Sequence, residues 1–192
     1  MIIKELNERY ADTESRNVAP IKPANTQPEF DTDEWLVLRD AKFMEWFKDE
    51  SAVQFAQIVS QSTELFDDIL DRDVDIGQDH IFNLMHSLWI TLPDNKFWVA
   101  YRLFLTPVLL MSLNAWLVAN KLEDGSSNDR VYAYTTRNLT LQVFPMMVYA
   151  LHGEKRMREL SMEIHQFFTE HETLDEYLDK TDTIYAKHGE MK

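Results

Sequence analysis

The central apolar run constrains this chain more than any other feature. From Leu103 to Ala119 there are seventeen residues without a charge, within a hydrophobic stretch that begins at Phe97. A run of this length has to be hidden among helices of its own chain or in a bilayer, whose core takes about 17–25 apolar residues. Pro107, Ser112 and Asn114 dilute it, and Arg102 stands just before it. We read it as a core helix buried on all sides, with a membrane span as the disfavoured alternative. At Thr106-Pro107 either a second helix starts or a single helix kinks.

A chain of 192 residues forms one compact domain that holds such a core without metal or disulfide support. It has no cysteine, which removes disulfides, thiol nucleophiles, thiolate zinc sites and iron–sulfur clusters. With four glycines it offers almost nothing for a nucleotide cradle. Neither a phosphate-binding glycine loop nor a Gly-x-Ser-x-Gly turn occurs.

The flanks read as helices. Residues 18–31 carry three prolines between Pro20 and Pro28, which predicts an extended arm over residues 1–30 ahead of a helical domain at 31–192. Asp31 with Glu34 forms a capping box for a helix at 32–48, and Ser51 with Gln54 forms another. Phe55, Ile58, Ser62, Leu65 and Ile69 then make the clearest amphipathic stripe. Asp79 caps a helix that contains Ile81, Phe82, Leu84, Met85, Leu88 and Trp89, and Asp94 caps the next. The loop at 123–129 is a break, and residues 131–144 read as helix in preference to a hairpin. Gly153 stops one helix, Met157 to Phe168 supply the stripe of another, and Thr173 with Glu176 cap a last one. The expectation is an all-α single bundle of six to eight helices with an extended, proline-containing N-terminal arm.

The net charge of −14 is unevenly placed. Residues 29–79 hold fifteen acids and four bases, whereas residues 80–153 hold four acids and five bases. Direct nucleic-acid binding is disfavoured, since phosphate contact needs clustered Lys and Arg, and anionic lipid is repelled for the same reason. Basic protein partners are favoured. The start of the chain lacks the basic region and apolar core of a secretory signal, so a cytoplasmic location is expected.

Three constellations touch on chemistry. Asp71, Asp73, Asp75 and Asp79 alternate like the oxygen ligands of a calcium loop, but Ile76 stands where the turn glycine belongs and Phe82 where the bidentate glutamate belongs. A solvated turn is the better reading. His80, His86, His152, His171 and His188 follow no metal spacing, so neither metal nor cofactor is called for. Glu64, Asp67, Asp68, Asp71, Asp73 and Asp75 form an acidic face with carboxylates on successive turns, about 5.4 Å apart, close to the phosphate spacing of one nucleic-acid strand. Small acidic viral inhibitors of DNA-binding enzymes use that principle, and the resemblance here is one of charge.

Arg158 and His165, in RELSMEIH, resemble the Arg-x(4–6)-His motif of the HEPN family of dimeric helical ribonucleases. Seven residues apart, they share a helix face, and the resemblance implies a phosphate-holding Arg and an acid–base His. Glu159 departs from the small polar residue usual after the arginine, and a pair of solvated surface residues is the preferred reading. The function expected is therefore a non-enzymatic protein–protein interaction protein, a subunit of a larger assembly, with further copies of itself among the expected partners. Trp35, Trp46 and Phe47 are its expected aromatic anchors. The alternatives are an acidic mimic that inhibits a nucleic-acid-binding protein, and a HEPN-like ribonuclease.

Overall fold

A computed structural model describes residues 33–71, 76–169 and 173–179. The proline-containing arm, the Asp31 cap, Asp73, Asp75, His171 and His188 lie outside the described residues, as does the side chain of Asp71.

Among the described residues the chain is all-α. The order is α1 (Asp33–Phe47), α2 (Glu50–Asp71), α3 (Gln78–His86), α4 (Lys96–Glu123), α5 (Ser127–Arg137) and α6 (Val143–Thr169). The α3 helix runs on through a π-helical turn (Ser87–Thr91) and a last turn (Leu92–Asp94), and a 3-10 segment (Asn138–Gln142) joins α5 to α6. Five helices exceed ten residues, against an expectation of six to eight. The count falls because Pro107 lies inside an unbroken α4, whereas Gly153 does interrupt the helix where the sequence placed a stop, leaving α6 as two helical stretches joined at a kink. Gly153 sits at φ 82, ψ 178, a region essentially reserved for glycine. Residues 131–144 are helical, as the sequence indicated.

The core is an aromatic cluster between α1, α2, α4 and α6. Phe43, Trp46, Phe47 and Phe55 are fully buried, and Phe43 and Phe144 stand 5.3 Å apart between ring centres. Phe144 stacks on Phe168 at 4.9 Å, and Phe55 stacks on Trp98 at 5.5 Å. Such offset and tilted aromatic contacts add to the area they bury.

The helix starts are set by side chains the sequence did not all announce. Lys48, at φ 52, turns the chain after α1, and Asp49 caps α2 by accepting from Ala52 N at 2.8 Å and Ser51 Oγ at 2.6 Å. The expected Ser51 cap is thus replaced by Asp49, whose carboxylate also satisfies the serine. Asn95, not Asp94, caps α4: its Oδ1 accepts from Trp98 N at 2.8 Å, while its Nδ2 donates to Ser51 O and Gln54 Oε1. Only a neutral amide serves both ends of that site. Ser126 and Asp129 form a full capping box at α5, and Thr173 with Glu176 forms the one expected ahead of 174–179. That last segment is tied back by Tyr177, which donates to Glu123 at 2.8 Å beside the Arg137–Glu123 ion pair.

Candidate interaction surface

The central helix is not buried on all sides. Phe97, Leu105, Ser112, Ala115 and Ala119 face inward, and the small residues among them let α5 and the 3-10 segment approach closely. On the other side Val99, Leu103, Leu110, Leu113 and Leu117 are exposed, Leu103 at 88% and Leu110 at 66%. At 100° per residue these five fall on one stripe opposite the buried edge. The expectation of an all-round core helix is corrected for a physical reason. A bundle of few helices covers one face of α4, and no described element lies over the other.

The α3 arm, residues 78–94, is the second bare element. None of its residues is buried, and only its last turn, through Leu92, packs against the core. It is nevertheless amphipathic: Ile81, Leu84, Met85, Leu88 and Leu92 share one side, with Phe82 and Trp89 at its edge. Phe82 and Trp89 are each 66% exposed. The sequence located this helix but not its lack of cover. The signal was present in Asn95, which leaves a single residue between two helices where an antiparallel hairpin takes about 2–5.

The anchors expected from sequence lie elsewhere. Trp46 and Phe47 are at 0% exposure, and Trp35 is half-buried, stacked on Phe167 at 4.8 Å. They are core residues because α1 turns its aromatic stripe toward α6, where Trp46 Nε1 donates to Glu163 at 3.0 Å. Glu163 also receives Lys42 at 3.0 Å, and these two donors, the indole first, hold its carboxyl below the usual range. The same contact raises Lys42.

The acidic face is only partly an outer surface. Glu64 is exposed and accepts from Ser60 Oγ at 2.9 Å. Asp67 is half-buried because it accepts the indole N–H of Trp116 at 3.0 Å, and Asp68 is half-buried too. Arg39 is the unannounced resident here. It is 1% exposed, held by Asp40 Oδ1 at 3.2 Å and Ser60 Oγ at 3.4 Å, over the Phe43 ring.

Arg158 and His165 engage different neighbours. Arg158 is exposed and paired with Glu154 at 2.5 Å. His165 is half-buried, its Nε2 lies 2.7 Å from the Gln142 amide, and burial lowers its pKa. A depression of about 460 Å³ between α4 and α6, lined by Tyr101, Phe104, Tyr149, Ala150, Gly153 and Glu154, offers one carboxylate and no adjacent nucleophile–base pair. Among the described residues no group of three or more His, Asp or Glu is placed to hold a metal ion. By length and composition α4 would cross a membrane, yet its two tryptophans point inward, Trp98 onto Phe55 and Trp116 to Asp67. No family model matches the chain, and neither a curated protein nor a solved structure does.

Proposed function

We propose that this protein is a non-enzymatic interaction protein that works as a subunit of an assembly and docks through the bare apolar stripe of α4. One observation carries the reading: seven large apolar side chains of α4, from Val99 to Val118, are between 39% and 88% exposed. Monomers rarely leave so continuous an apolar surface in water. Together their exposures equal about four whole side chains. Covering them is worth roughly 6–12 kcal/mol per copy, on the scale of the ~4–15 kcal/mol that association costs. The surrounding charge supports the same reading, because Lys96, Arg102 and Lys121 are the only charged residues between Asn95 and Leu122 in a chain of net charge −14. Acidic surfaces elsewhere keep the molecule soluble while this one is left free of carboxylates.

The test is affinity capture from the native host with the wild-type chain and with Leu103→Glu/Leu110→Glu. Both positions are exposed, so the fold should hold. Loss of the captured proteins from the variant supports the reading. An unchanged set of captured proteins would overturn it.

A further inference from the structure

We infer that the α3 arm of one copy covers the α4 stripe of a second copy, and the reverse, in a reciprocal two-fold dimer. This rests on reading the α4 stripe as a docking face and names its occupant. The chain carries two apolar surfaces that want cover, and they are of matching kind. The arm is an amphipathic helix presenting Ile81, Phe82, Met85 and Trp89, and the stripe presents Leu103, Leu110 and Leu113.

The stripe repeats as a helix-packing seam. Val99, Leu103, Thr106, Leu110, Leu113 and Leu117 alternate by four and three residues, the 3.5-residue period that accepts a second helix lengthwise. From Val99 to Leu117 it runs about 27 Å. The arm spans 78–94, about 25 Å as a helix, and so matches it in length.

The two surfaces cannot meet within one chain. Asn95 is the sole residue between arm and α4, below the two to five residues that fold one helix back along another. Asn95 is also fixed, 3% exposed with both ends of its amide bonded to α2 and α4. The arm is therefore held away from its own stripe and free to reach a neighbour's. Domain-swap geometry of this type closes with two-fold symmetry.

The area suffices. The exposures of the four arm residues and the five stripe residues add up to about five whole side chains per copy. At roughly 100 Å² each, reciprocal cover removes ~1,000 Å² from water, the level a specific interface has to clear. The stripe and the arm's apolar side are also free of carboxylates, so two copies of an acidic chain approach where their repulsion is weakest.

The experiment is sedimentation equilibrium on the purified full chain at micromolar concentration, with an arm variant (Phe82→Glu/Trp89→Glu) and a stripe variant (Leu103→Glu/Leu110→Glu). Wild type should be a dimer. Each variant alone should be monomeric, its dissociation constant raised by about 100-fold or more. An equimolar mixture of the two variants should regain a heterodimer, because an intact arm then meets an intact stripe once. Circular dichroism checks that each variant keeps its helices; where an arm variant loses them, Phe82→Ser/Trp89→Ser replaces it. A monomeric wild type, an arm variant that still dimerises, or a mixture without heterodimer each overturns the proposal. So does wild type that floats with phosphatidylcholine vesicles while the stripe variant does not, which makes lipid the occupant. A monomeric wild type that still captures host proteins through the stripe keeps the docking reading and ends self-association alone.

Discussion

Asn95 shows how much one side chain does in this fold. It caps α4, and its amide donates to two acceptors on α2, Ser51 O and Gln54 Oε1. Asn95→Ala should cost about 1–3 kcal/mol, the lost cap and the lost bonds to α2 together. Asn95→Asp, a good cap in isolation, should also destabilise the protein because a carboxylate then faces Ser51 O and Gln54 Oε1; urea unfolding measures both. Glu163 carries the acid sensitivity. Its carboxyl is held below the ordinary value of 4.5 by the Trp46 indole and by Lys42. The folded state thus binds fewer protons than the unfolded one as pH falls below that value. The stability contributed is complete above pH 4.5 and is lost on acidification through the depressed folded value. Glu163→Gln should lower the melting temperature at neutral pH, and the gap to wild type should close as the pH is taken down through this range. A gap that stays constant with pH would show that the charge is not what matters. These contacts were not legible in the sequence, since Glu163 lies 117 residues from Trp46 and no local pattern joins them.

Elements were read more successfully than contacts. The stripes of α2 and α6, a break inside 123–129 that narrows to 124–126, and the Thr173–Glu176 box all follow from spacing within one or two turns, which local physics decides. Pro107 is the exception that sequence left open. It lies inside α4 at an exposed position, and Thr106 Oγ1 donates to Arg102 O at 2.6 Å one turn before it. A proline in a helix interior removes one backbone hydrogen bond and crowds the preceding turn. Pro107→Ala should therefore stabilise the chain by about 1–3 kcal/mol in urea unfolding. A loss of stability instead would mean that the packing of α4 depends on a bend at Pro107.

For the whole molecule, charge and apolar surface make opposite demands on association. Two copies at −14 repel, and the proposed contact lies where carboxylates are absent. Screening should then strengthen the dimer: raising salt from about 0.02 M to 0.3 M shortens the Debye length from roughly 20 Å to 6 Å and should lower the dissociation constant several-fold in light scattering. Docking of an acidic face on a basic partner would respond the other way, weakening with salt. The same measurement thus separates the apolar contact from the acidic-mimic alternative, whose Asp67 is engaged with Trp116.

The sequence alone determined that this chain is helical, acidic and rich in apolar residues at its centre. Periodicity, capping and composition act over a few residues and need no neighbour. What it did not decide was which of those apolar residues found cover. Trp46 and Phe47 became core, while Leu103, Leu110, Phe82 and Trp89 stayed in water. Burial depends on where distant helices come to rest, and a one-residue link at Asn95 keeps the arm from closing over α4, so only the tertiary structure separates a core from a docking face.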